Sequence, residues 1–221
     1  MALRTPITLA ASLALLSACA GYRGGWESLP YIGAMPPAAG VNVTADEARL
    51  RRELVLPGLR LRVNLNNAVR THDTQVYAGV LPLGIDPRAV PLQPAQPGLT
   101  QLTLSVWPQG GRSFLLRPAR ARLSVGGQTV AAQAASVWGQ WNEAGEPVER
   151  GGRYADRPLS GELLLEARDR PHVLTLTFPI ERPSPQDGDI VLELDEALSS
   201  PGTPAIPRIR FQPSRWTEGY N

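Results

Sequence analysis

The chain has 221 residues, 22 of them basic and 20 acidic, and every basic side chain other than its two histidines is arginine. Without lysine there is no ammonium group for Schiff-base chemistry or for a phosphate-gripping P-loop. With a single cysteine, Cys19, the chain forms neither an intramolecular disulfide nor a thiolate metal site. A formal charge of +2 is far below the basic loading of a nucleic-acid binder, so no nucleic-acid partner is expected.

The first residues, Met1-Ala2-Leu3-Arg4, make a short positive start, and a mostly apolar run over 7–16 follows that is too short to cross a bilayer as a helix. That is the layout of a signal peptide. It ends in Leu16-Ser17-Ala18-Cys19, an aliphatic residue, two small ones and the cysteine. This tetrapeptide resembles the lipobox of bacterial lipoproteins. The resemblance implies that residues 1–18 are removed, that the Cys19 thiol carries a diacylglycerol, and that acylated Cys19 becomes the new N-terminus. In that family an Asp directly after the cysteine favours retention in the inner membrane. Ala20 stands there in this chain, which implies a lipid anchor in the outer membrane with the body facing the periplasm. The other reading is ordinary cleavage after Ala18, leaving a free thiol on a secreted protein. Loss of Arg4 leaves 21 arginines against 20 acids, close to neutrality.

Residues 19–43 read as a flexible tether, because Gly24-Gly25 and Met35-Pro36-Pro37-Ala38-Ala39-Gly40 interrupt any period. Thr44-Ala45-Asp46-Glu47 has the spacing of a capping box and predicts one short helix over 45–52. Beyond Pro57-Gly58 the period becomes two: Leu59, Leu61, Val63 and Leu65 alternate with Arg60, Arg62, Asn64 and Asn66, the pattern of a half-buried strand. Comparable runs predict strands at 75–81, 99–107, 113–117, 119–125, 128–133, 136–141, 161–167, 172–180, 190–195 and 206–212. Gly126-Gly127 supplies the positive φ angles of a two-residue hairpin turn. The Pro-rich stretch 83–98 and the polar stretch 142–158 read as long loops. Residues 44–221 therefore read as one all-β domain, an antiparallel immunoglobulin-like β-sandwich.

Few residues offer chemistry. His72 and His172 lack the second histidine at a metal-ligand spacing, and no catalytic triad, metal site or cofactor is expected. Asp187-Gly188-Asp189 runs straight into a predicted strand and reads as a turn rather than a calcium loop. Glu162 and Glu166 read as the solvent face of a strand, and an envelope hydrolase would need acids that converge only in the folded chain. Trp138 and Trp141 flank Gly139 beside the polar stretch and are the candidate sugar-stacking rings of a carbohydrate-binding module, with core packing as the competing reading. Arg60 and Arg62, Arg120 and Arg122, and Arg208 and Arg210 occupy the polar face of three predicted strands. In a shared sheet they form an anion-binding face for carboxylate or phosphate; otherwise they pair across strands with Glu162, Glu166, Glu193 and Asp195. The expected role is non-catalytic binding or structure, with the membrane, an envelope protein or an anionic polysaccharide as partner.

Overall fold

A computed structural model describes residues 19–33, 42–44, 52–77, 81–94 and 96–220. In chain order the strands are β1 (Cys19–Ile32), β2 (Asn42–Thr44), β3 (Glu53–Leu56), β4 (Leu59–Leu65), β5 (Val69–Tyr77) and β6 (Leu81–Asp86). They continue with β7 (Val90–Pro91), β8 (Thr100–Pro108), β9 (Phe114–Leu116), β10 (Arg122–Val125), β11 (Gln128–Ala131) and β12 (Ala134–Trp141). The last six are β13 (Arg153–Pro158), β14 (Leu163–Leu165), β15 (His172–Phe178), β16 (Ile190–Glu193), β17 (Leu198–Ser199) and β18 (Ile209–Tyr220).

These build an antiparallel sandwich with one curled side. The larger sheet has the order β11-β10-β16-β18-β1-β5-β6, with β7 beside β5 and β2 running parallel to β18. The opposing sheet has the order β13-β12-β15-β8-β4-β3, and β14-β9-β17 form a small third sheet. Period-two alternation explains why they face one another. Leu61, Val63, Leu102, Leu104, Leu174 and Leu176 project inward from the six-stranded sheet, while Leu123, Leu192, Ile209 and Phe211 meet them from the larger one. Phe114, Leu116, Leu165 and Leu198 of the third sheet join the same core. Each such side chain stabilises the fold by about 1.5–3 kcal/mol relative to exposure in water. The Gly126-Gly127 hairpin forms as its composition demands, with Val125 opposite Gln128 and φ angles of 56° and 83° at the two glycines.

The tether reading fails over 19–32, where the chain is β1, flanked on both sides by β18 and β5. The glycines read as linker residues are there for space. A Cβ on Gly25 would lie 1.8 Å from the carbonyl oxygen of Val69, where β1 shifts register against β5. Residues 34–41 lie outside the described residues, as do 45–51 of the predicted helix; Arg52 is in a turn. The predicted loop 142–158 contains β13, whose side chains are nearly all exposed and so carry no alternation to read. The predicted loop 83–98 likewise takes in the end of β6 and β7. The run 75–81 divides between β5 and β6, and 119–125 opens with a 3-10 turn, Pro118–Arg120, because proline sits well in a first helical turn.

Candidate functional site

Strand pairing sets the outer face of the six-stranded sheet in rows. One row runs Ser136, Thr175, Thr103, Asn64 across β12, β15, β8 and β4; the next runs Trp138, Val173, Ser105, Arg62 and ends at Glu53 on β3. Because alternate residues of these strands fill the core, their neighbours must face outward, and the sequence places hydroxyl and amide side chains there. Asn64 Nδ2 donates to Asn66 Oδ1 at 2.9 Å, and Asn66 Nδ2 donates to Thr103 Oγ1 at 3.2 Å. Ser136 Oγ donates to the Asp156 carboxylate at 2.8 Å. The middle of the face is thus polar and uncharged.

An aromatic plate lies at one end. Trp138 (46% exposed) and Tyr154 (58% exposed) stack with centroids 6.1 Å apart and planes 16° from parallel. Gln140 is opposite Tyr154 in register, and its Oε1 is shielded from solvent with no hydrogen-bond partner. Trp141, three residues from Trp138, turns to the opposite face, where its Nε1 donates to the Ala155 carbonyl at 2.9 Å and the Arg157 guanidinium stands 5.8 Å from its ring. The two predicted sugar-stacking tryptophans therefore do not share a surface; the partner of Trp138 is Tyr154. Tyr154 escaped the sequence reading because it sits in the exposed strand taken for a loop.

The six candidate arginines divide between sheets. Arg60 and Arg62 lie on β4, with guanidinium carbons 4.4 and 5.4 Å from the centroid of the buried Trp107 ring, and Arg62 also pairs with Glu53. Such cation–π contacts hold both arginines down on the sheet. Arg122 and Arg210 face outward from the larger sheet, Arg208 directly precedes β18, and Arg120 belongs to a 3-10 turn. Arg120, Arg122 and Arg208 line one hollow of about 330 Å³ together with Glu193, Asp195 and Glu196. Arg208 Nε donates to Glu193 at 2.8 Å, and Arg120 lies 3.8 Å from Glu196. Two of the six are thus ion-paired in this hollow, and because the six divide between two sheets they form no single cationic face. Of the acids weighed for hydrolysis, Glu162 accepts from Arg117 Nε at 2.7 Å, and Glu166 offers its backbone oxygen to His172 Nε2 at 2.8 Å.

The compared family models, curated proteins and solved structures include none that this chain matches. Chemistry must therefore be read from the side chains themselves. His72 lies within β5 and His172 opens β15. Burial, only partly offset by the hydrogen bond to the Glu166 carbonyl, pushes the His172 imidazole below its ordinary range, favouring the neutral ring that donates through Nε2. Asp187 closes a plain turn, its backbone N–H on the Ser184 carbonyl and its carboxylate on the Ser184 amide. Among the described residues, no three of His, Cys, Asp and Glu gather as a metal site. Cys19 opens β1, paired with Tyr77 of β5.

Proposed function

We propose that the chain is a lipid-anchored envelope protein, held in the outer membrane and facing the periplasm, whose body binds a partner and does not catalyse. The leader and Leu16-Ser17-Ala18-Cys19 support the anchor. The observation that carries the binding role is the outer face of the six-stranded sheet, open, uncharged across its central strands β15 and β8 and edged by an exposed aromatic pair. The carboxylates of the hollow lined by Arg120, Arg122 and Arg208 are interleaved with arginines, two of which form ion pairs there, so they serve poorly as free acid and base.

Labelling with a fatty-acid analogue, followed by fractionation, tests the anchor. Wild type should be labelled and sediment with membranes, whereas Cys19→Ser should be unlabelled and remain an unprocessed or soluble precursor. Each buried methylene adds about 0.8 kcal/mol, so several acyl chains retain the protein firmly. An unlabelled, freely soluble wild type overturns the anchor.

A further inference from the structure

We infer that the outer face of the six-stranded sheet binds an uncharged polysaccharide chain, with Trp138 and Tyr154 as its stacking platform; this rests on the reading of the body as a binding module. Exposing two large rings side by side leaves apolar surface in water that the core side of the same hairpin would have covered. Stacked on one another, the two rings fix each other's orientation, and each stays about half exposed, so apolar ring surface is left open to a ligand. The C–H face of a pyranose is flat, apolar and rimmed by hydroxyls, so it complements such a surface with hydroxyl and amide groups around it.

Those groups are in register. Moving away from the plate, a chain laid across the strands meets Ser136, Thr175, Thr103 and Asn64. From β12 to β4 is three strand spacings, about 14 Å. Hydroxyls and carboxamides both donate and accept, as sugar hydroxyls do, whereas a cationic face would be needed to select an anionic polymer. The arginines of this face stand at its far side, drawn onto Trp107, and the charge nearest the plate is the carboxylate of Asp156. An open sheet face suits an extended chain, whereas small molecules are held in concave pockets. The unpartnered Gln140 oxygen beside Tyr154 is a further acceptor that a ligand hydroxyl could satisfy after a small side-chain rotation.

Affinity electrophoresis of the detergent-solubilised full chain tests this, in gels containing β-1,4-glucan, mixed-linkage glucan, glycol chitin or alginate. Retardation is expected in at least one of the three neutral gels, unchanged by 0.5 M salt (roughly a 4 Å screening length). Trp138→Ala and Tyr154→Ser should each weaken it at least tenfold, and Trp141→Phe on the opposite face should leave it intact. Retardation by alginate alone, lost in salt, would overturn the proposal, as would equal retardation of wild type and both platform variants. No retardation in any gel, with a wild type that still labels and sediments with membranes, refutes the glycan site and leaves the anchor standing. A wild-type dimer that Trp138→Ala converts to monomer, without polymer binding, would assign the plate to a second copy of this chain and likewise overturn it.

Discussion

Replacing Gly25 with alanine separates a strand from a tether in one measurement. The new Cβ would stand 1.8 Å from Val69 O, 2.8 Å from Val69 C and 2.9 Å from Arg70 Cα, all backbone atoms that no rotamer change can move. Restoring an ordinary carbon–oxygen contact of about 3.3 Å requires β1 and β5 to separate by roughly 1.5 Å, enough to break the neighbouring N–H···O bonds. Losing two or three of them, at about 1 kcal/mol each and with groups left partly shielded, gives a destabilisation of about 2–4 kcal/mol. For a chain of this size the melting temperature should fall by roughly 5–15 °C. Thermal unfolding followed by near-ultraviolet circular dichroism reads it. Gly188→Ala is the control, since a Cβ there meets nothing within 4 Å. A Gly25→Ala protein that melts within a degree or two of wild type refutes the strand placement of this segment.

Leu104, fully buried between the sheets, should cost about 2–5 kcal/mol when cut to alanine, seen as a lower urea midpoint at unchanged slope. His172 should make stability pH-dependent. Its folded pKa lies below the unfolded one, so its contribution is complete above about pH 6.5 and declines as the pH falls and the unfolded chain takes up the proton first. Denaturation between pH 8 and 5 should show that decline, and His172→Gln should flatten it. The carboxyl of Asp86 is held down to about 2, chiefly by the Arg88 side chain and then by the Arg88 amide, with Arg70 adding to it. It therefore favours the fold above the ordinary carboxylate range and loses that as the pH drops towards 2. A carbon-detected titration should find Asp86 ionised at pH 3 in wild type, and largely protonated there in Arg88→Ala if Arg88 is the cause.

What could be read in the chain follows from which strands bury one face. β4, β8 and β15 each alternate between a core side and a solvent side, so Leu61, Leu104 and Leu176 declare themselves against Arg62, Ser105 and Thr177. β13 is exposed on both faces and β1 carries Gly24-Gly25 at a crowded crossing, so neither shows a period and both read as irregular chain. The aromatic site was half legible for the same reason. Trp138 stands out by residue type, but its pairing with Tyr154 depends on the β12–β13 register, which joins residues across a long polar stretch whose glycines mark turns without saying which residues pair. Arg60, Arg62, Arg122 and Arg210 were legible as polar-face residues, whereas Arg120 and Arg208 lie outside the strands that alternation assigned them. The division between two sheets was not legible, because alternation says which way a side chain points and is silent on which strand lies next to it.

The start of β1 determines how an acylated molecule would stand. Cys19 is paired with Tyr77, and Gly21 two residues on with both Gln75 and Tyr220, so a lipid on that sulfur would be fastened to the rim of the larger sheet with no slack between them. A body on a long leash samples every orientation; one fixed at a strand end is a mast. The 14 residues of β1 would carry it roughly 45 Å from the headgroups. Tyr22, exposed at the same rim, is of the amphipathic kind that settles at a membrane–water boundary. Held this way, the sandwich would offer its faces at a fixed height and azimuth, and distance from the bilayer would help decide which envelope polymers come within its reach.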